Sequence, residues 1–261
     1  MDTAPGRRGR ATAVVVAAVV ALLGGCSRAS EQGEASTALR VCSTGDYRPF
    51  TYRAPDGTWS GFDIDAAGDL ARGLGMRLEL VPTTWKTLVS DVGTTCDIAM
   101  GGISVSPERA KVARFTTPYL PDGKAAITRC VEADRFHDLG DVDQPGVRVI
   151  VNPGGGNAAF DDAHLHRATV VTWPDNNTIF DRLAAGAADV MITDVSEIRW
   201  QTTMNRQLCG VALDHPFTSE QKAYLLPQDS ADLLQRTDHW LDVATHDGTY
   251  AALRQKYFGG P

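Results

Sequence analysis

Short strand-like apolar runs alternate with helix-like stretches in the first half of this chain, and the alternation starts again after Cys130. A single continuous sheet does not need that restart; two separate α/β units do. In the first series, residues 39–43, 78–81 and 98–103 read as strands. Between them Ile64, Ala67, Leu70, Ala71 and Leu74 recur at helical spacing, with Gly75 as a stop. Residues 85–92 read as a second helix, and Pro107-Glu108-Arg109 opens a third, with proline in its first turn. The second series has strands over 147–151, 169–172 and 190–193, each followed by a helix, the last running to Met204. A late apolar run, 223–226, precedes two closing helices at 230–246 and 249–257. The pattern predicts an α/β chain of two lobes, each a doubly wound sheet flanked by helices. Lobe 1 is expected over 39–123, lobe 2 over 124–222, and 223–261 returns to lobe 1. Ligands of such sheets bind beyond the carboxyl ends of the strands, here the cleft between the lobes.

The N-terminus reads as an address, not as part of the fold. Arg7, Arg8 and Arg10 precede an apolar run over 11–23 that is short of the about 20 residues a spanning helix takes. Leu23-Gly24-Gly25-Cys26 has the form of a lipobox, so residues 1–25 are expected to be a lipoprotein signal peptide and Cys26 the lipidated residue. Residues 26–38 read as a flexible tether. The chain is then exported and anchored to the membrane surface by lipid.

Losing residues 1–25, with three Arg and one Asp, takes the formal net charge from −7 to −9. That balance argues against nucleic acid as a partner, and an anionic ligand would depend on a few local cations and backbone amides. Beyond Cys26 four cysteines remain, Cys42, Cys96, Cys130 and Cys209. An even number in an oxidising compartment predicts two disulfides. Cys130 with Cys209 would span the second lobe and Cys42 with Cys96 would join neighbouring strands of the first, although spacing does not fix the pairing. No Cys-x-x-Cys occurs, and the stretch with Asp161, Asp162, His164 and His166 reads as a solvated face, so no metal is expected.

Polar residues gather at the predicted strand ends. Ser104 lies five residues before Arg109, which places backbone amides and a guanidinium where a carboxylate could be held by two oxygens; pairing of Arg109 with Glu108 or Asp97 is the plainer reading. The turn from Asn152 to Asn157 is glycine-rich and leads into a helix, a place for an anion or simply a tight turn. Asp194 and Glu197 share a first helical turn. Asp194 could cap that helix, or the two carboxyls could divide into one ionised and one protonated. Trp85 fits a core position or a wall of the cleft. Lys124 and Lys222 fall where the chain passes between lobes and could face a second anionic group.

Together, Gly61-Phe62-Asp63-Ile64-Asp65, Asp97-Ile98-Ala99-Met100, Ile103-Ser104 with Glu108-Arg109, Thr193-Asp194 and the tail Asp247-Gly248-Thr249-Tyr250 resemble the extracellular amino-acid-binding proteins of ABC transporters. More specific runs are Thr44 to Phe50, Pro82-Thr83-Thr84-Trp85, Asp122-Gly123-Lys124, Val151-Asn152-Pro153-Gly154-Gly155, Pro174-Asp175-Asn176 and Lys222-Ala223-Tyr224-Leu225-Leu226-Pro227. These are similar to the periplasmic cyclohexadienyl dehydratases. The resemblance implies a type II periplasmic-binding-protein-like fold. It implies a cofactor-free lyase that turns prephenate into phenylpyruvate and L-arogenate into L-phenylalanine, losing water and carbon dioxide. The general acid then falls on Glu197. Binding residues fall on Asp46, Tyr47, Trp85, Ser104, Arg109, Asn152, Asn157 and Asp194. The chain departs from the pattern in three places: Gly101 stands where serine is usual, Gly156 where threonine is common, and the segment from Ser90 to Cys96 is one residue short. The alternative is a non-catalytic amino-acid receptor that delivers its ligand to an ABC permease, with Asp194 on the ligand's amino group.

Overall fold

The computed structural model describes Met1 and residues 37–259. The expected signal peptide, Cys26 and most of the tether lie outside the described residues.

The chain starts with β1 (Ala38–Ser43). A small antiparallel sheet follows, made of β2 (Asp46–Tyr47), β3 (Thr51–Arg53) and β4 (Trp59–Ser60). Pro55-Asp56-Gly57 supplies the turn between β3 and β4. Helix α1 (Phe62–Gly73) buries Ile64, Ala67, Leu70 and Ala71 as its periodicity requires. It ends at Gly75, whose left-handed φ of 68° lets its N–H reach Arg72 O while Met76 N–H reaches Ala71 O. Next come β5 (Arg77–Pro82), α2 (Leu88–Asp91), β6 (Ile98–Ala99), α3 (Pro107–Ala110), β7 (Ala113–Phe115) and β8 (Leu120–Asp122).

Helix α2 is shorter than the predicted 85–92. Thr84 Oγ1 accepts from Thr87 N and Thr83 Oγ1 donates to Asp91, so side chains take up groups that a longer helix would have used. Strand β6 also stops early, because Gly101 and Gly102 have φ of 152° and 68° and turn the chain away.

The second half holds β9 (Lys124–Arg129), α4 (Leu139–Val142), β10 (Arg148–Val151), α5 (Gly156–His164), β11 (Thr169–Thr172), α6 (Ile179–Ala184), β12 (Val190–Asp194), α7 (Val195–Met204) and β13 (Leu208–Val211). Strand β14 (Glu220–Lys222), β15 (Leu225–Pro227), α8 (Ala231–His246) and α9 (Thr249–Phe258) complete it.

Two five-stranded sheets result, in the orders β5-β1-β6-β15-β7 and β11-β10-β12-β9-β13. Each has a parallel centre and antiparallel additions: β15 on β6 and β7 in the first, β9 on β12 and β13 in the second. The late strand β15 thus joins the first sheet. Strands β8 and β14 form a two-stranded antiparallel sheet that connects the halves, and an antiparallel bridge joins Lys222 of β14 to Ser104. Each sheet has apolar clusters built from its own residues, one around Leu39, Phe62, Leu70 and Tyr224 and another around Ile127, Ile150, Phe180 and Met191. Disulfides join Cys42 to Cys96 and Cys130 to Cys209, across sequence separations of 54 and 79. Loops of that length restrict the unfolded chain by about 4 kcal/mol each in the chain-entropy view.

Candidate functional site

The carboxyl ends of the central strands of both sheets face one cleft. From the first half of the chain come Tyr47, Trp85, Ser104 and Arg109; from the second come Lys124, Asn152, Asn157 and Asp194. The open space left between them is small, about 30 Å3. A larger groove of about 710 Å3 lies between α7 and α9, but none of the predicted site residues lines it.

Asp194 is the centre of the cleft. It ends β12 and occupies the N-cap position of α7, yet its side chain caps nothing. Its Oδ1 accepts from Lys124 Nζ at 2.7 Å, and its Oδ2 accepts from Lys222 Nζ at 2.7 Å and from the Tyr47 hydroxyl. Burial alone would raise its pKa, but the two ammonium groups hold it well below the ordinary carboxylate range. Lys124 also donates to Asn157 Oδ1 at 2.6 Å, and Lys222 to Ser104 Oγ at 2.8 Å. The two lysines, expected to face a second anion of the ligand, therefore face the protein's own aspartate in this state.

Glu197, one turn into α7, is 1 % exposed. It does not itself line the cleft; its Oε2 accepts from the hydroxyl of Thr193, the neighbour of Asp194, at 2.6 Å. Burial raises its pKa well above the usual value; Asp194 and Asp46 push the same way, while the Thr193 hydrogen bond and Lys124 pull back in part. Their surroundings thus push the pKa values of the two carboxyls in opposite directions, Asp194 down and Glu197 up.

Arg109 sits on α3, where Ser106 accepts from its backbone N–H at 3.3 Å. Its Nη1 donates to Ser104 O at 2.9 Å, and among the described residues no carboxylate pairs with it. Asp97, one of its expected partners, pairs with Arg40 instead. The remaining N–H groups of Arg109 can meet an incoming carboxylate. Trp85 lines the cleft and donates from Nε1 to Asp46 Oδ1 at 3.1 Å. Asn152 donates to the carbonyls of Trp173 and Pro174, leaving its own oxygen uncommitted, so its side chain can serve a ligand as an acceptor. Asn157 has both ends of its amide engaged, on Lys124 and Thr193.

Three residues of the site were not picked out from sequence. Thr193 was visible only as part of the Thr193-Asp194 pair. Asn176 lines the cleft and donates to Asp46 O at 2.8 Å, bridging the two halves. Asp63, fully buried, accepts from Gly102 N at 2.6 Å and from the hydroxyls of Tyr119 and Tyr224, and so fixes the turn that leads to Ser104. Burial brings its pKa to about 6. In the stretch read as a solvated face, Asp162, His164 and His166 are exposed and Asp161 alone is not. Asp161 is 0 % exposed, because α5 turns it onto the sheet one turn after Asn157. Among the described residues no three His, Cys, Asp or Glu side chains gather to hold a metal.

The family model for bacterial extracellular solute-binding proteins, family 3, matches residues 39–260. The chain belongs to that family. Within family 3 it is 47 % identical to the cyclohexadienyl dehydratase of Pseudomonas aeruginosa over 222 residues, 85 % of this chain and 81 % of the relative. Among solved structures it overlays on the ancestral amino-acid-binding protein AncCDT-1, a precursor of cyclohexadienyl dehydratase, with a TM-score of 0.79 and 32 % identity, over 85 % of this chain and 95 % of that one. It also matches an ancestral cyclohexadienyl dehydratase, AncCDT-3, with a TM-score of 0.52 and 46 % identity, over 85 % and 92 % of the two chains. The fold is the type II periplasmic-binding-protein fold of family 3, and the kinship with dehydratases places this chain among the family's enzymes, as a lyase. Among the described residues no helix is long and apolar enough to cross a membrane.

Proposed function

We propose that this chain is a cyclohexadienyl dehydratase acting on prephenate, L-arogenate or both, with Glu197 as general acid. The observation that carries the reading is a fully buried glutamic acid, whose burial raises its pKa, next in the fold to a cleft lined by Arg109 and Lys124, with Lys222 on Asp194.

The substrate is a cyclohexadienol with a carboxylate on the ring carbon opposite the hydroxyl. Hydroxide leaves poorly, so an acid must act on its oxygen. In the proposed step the Glu197 O–H bond breaks, its proton passes to the hydroxyl oxygen, and the C–O pair departs with water. The electron pair of the ring-to-carboxylate bond enters the ring as carbon dioxide leaves, and aromaticity drives the step. Glu197 remains as a carboxylate and regains a proton from solvent once product leaves. Arg109 holds one carboxylate, and the second draws Lys124 or Lys222 away from Asp194.

An amino-acid receptor would need a carboxylate for the ligand's amino group. Here both oxygens of Asp194 are taken by lysines and a tyrosine, which favours prephenate, a substrate without an amino group, over an amino-acid ligand. We also propose that residues 1–25 direct export and that Cys26 carries lipid.

Adding prephenate to the purified mature chain and following phenylpyruvate absorbance tests the activity. Glu197→Gln, with an unchanged circular dichroism spectrum, is expected to lower kcat by about 100- to 10,000-fold. Full turnover in that variant would remove Glu197 from its role. Tight binding of an amino acid without turnover of either cyclohexadienol would make the protein a receptor.

A further inference from the structure

Four side chains next to the cleft form a hydrogen-bonded chain with one direction. Lys124 Nζ donates to Asn157 Oδ1 at 2.6 Å, Asn157 Nδ2 donates to Thr193 Oγ1 at 2.9 Å, and Thr193 Oγ1 donates to Glu197 Oε2 at 2.6 Å. Each direction follows from the one before it. An ammonium can only donate, so the Asn157 oxygen must face Lys124 and its NH2 must face Thr193. A hydroxyl that accepts from an amide keeps its own proton to give. Glu197 Oε2 is the acceptor it reaches, and with Oε2 so occupied the acid proton of Glu197 belongs on Oε1. No described residue forms a hydrogen bond to Oε1.

We propose that Thr193 is a positioning residue for the dehydration: its hydroxyl pins Glu197 Oε2 to the sheet, leaves the acid proton on the free oxygen Oε1, and passes the influence of Lys124 to the carboxylate left after proton transfer. The proposal rests on the reading of Glu197 as the acid. It gives Asn157 a different part from that of a substrate contact, since both ends of its amide are used to orient Thr193.

The chain matters more after the proton has gone than before. A hydrogen bond to a carboxylate is stronger than one to a neutral carboxyl, so the Thr193 contact strengthens as the C–O bond breaks. Linked hydrogen bonds polarise one another, and the first donor in this chain is a cation. The charged or titratable groups facing Glu197 are Asp194 at the end of β12, Asp46 on β2, Lys124 at the start of β9 and the Tyr47 phenol. Both aspartates oppose its ionisation; Thr193 and Lys124 favour it.

The test uses the full chain with Thr193→Val, Thr193→Ser and Asn157→Asp. Thr193→Val keeps the shape and removes the hydroxyl. Its kcat is expected to fall by about 10- to 100-fold, the range of one hydrogen bond to a charged group, with KM changed by less than about 3-fold. The alkaline limb of its kcat–pH profile moves upward, because Glu197 loses a group that favours its charged form. Thr193→Ser restores most of the lost turnover. Asn157→Asp is nearly isosteric and turns a donor into an acceptor, so it draws the Thr193 proton to itself and lowers kcat comparably even if Thr193→Val does not fold. Infrared difference spectra give a readout apart from activity: the carbonyl stretch of protonated Glu197, assigned by its loss in Glu197→Gln, shifts to higher wavenumber in Thr193→Val. In a Glu197→Gln background Thr193→Val costs no further turnover. A native kcat and pH limb in Thr193→Val, or an equal loss in both backgrounds, overturns the positioning role while leaving the acid in place. Full turnover in Glu197→Gln alone overturns both.

Discussion

Asp161 is the carboxyl for which the fold provides least. It is fully buried on α5, and neither of its oxygens has a hydrogen-bond partner among the described residues. Burial raises its pKa to about 8; Lys124 offsets part of this and Asp162 adds to it. In the unfolded chain the same group ionises near its ordinary value of about 4. Between about pH 4 and 8 the folded form therefore binds the extra proton, and stability falls as pH rises, by at most about 1.4 kcal/mol per unit, levelling off above 8. Asp161→Asn keeps the shape without the charge. Its stability relative to the native chain is expected to rise by about 1–3 kcal/mol between pH 5 and pH 8, read from denaturant midpoints. Parallel pH dependence in the two proteins would mean that Asp161 is hydrated or paired in solution. Sequence could not have placed this residue: one helical turn separates it from Asn157, but which face α5 turns to the sheet depends on Phe160 and Leu165, whose apolar neighbours lie on other strands. The spacing of Asp194 and Glu197, by contrast, was legible locally, because a strand end and the first helical turn fix it.

The two glycine departures from the dehydratase pattern belong to the turns that carry the site, and they differ physically. The turn after β6 places Gly101 at φ 152°, and a Cβ there would lie 3.0 Å from Ser43 Oγ and 3.1 Å from Thr51 Cγ2. Gly101→Ser is expected to cost about 1–3 kcal/mol, because an L side chain is strained in that backbone region and Ser43 must move from its 2.7 Å bond with Thr51. The start of α5 is open by comparison. A Cβ on Gly156 would meet only Lys124 Nζ, at 3.9 Å. Gly156→Thr should therefore fold with a thermal midpoint close to native. Equal loss of stability in both variants, seen by thermal melts, would refute the distinction. Much of this scaffold was readable in advance: both βα series, the Gly75 stop and the glycine turn before α5 all follow from local periodicity and punctuation. The roles of the residues on it were less so. Asn157 is committed to Lys124 and Thr193, 33 and 36 residues away in sequence, and no local pattern encodes such contacts.

The two halves of the molecule are drawn together by the same groups that form the site. The Tyr47 hydroxyl reaches Asp194, Asn176 reaches Asp46 O, and Lys222 joins Asp194 to Ser104. Gly155 stands against Trp85, and Gly154 against Lys86. The space that remains, about 30 Å3, accepts water. Small-molecule sites run to about 300–1,000 Å3, so a ring with two carboxylates cannot enter unless the halves part. Ligand then acts by its preference for one member of an open–closed equilibrium. Tyr47→Phe removes a hydrogen bond to a charged group across the cleft, worth about 1.5–3 kcal/mol, and so should raise the open-to-closed ratio by about 10- to 100-fold. In solution X-ray scattering, the radius of gyration of ligand-free Tyr47→Phe is expected to exceed that of the native chain. Phenylpyruvate at saturation should bring both to the same smaller value. In the proposed mechanism, closure of this kind lets one carboxyl be both dry and reachable by a substrate: Glu197 is shut in during the proposed proton transfer and reopened to solvent afterwards. Identical radii in all four samples would mean that the halves do not move, and a rigid cleft of this size could not admit the proposed substrates.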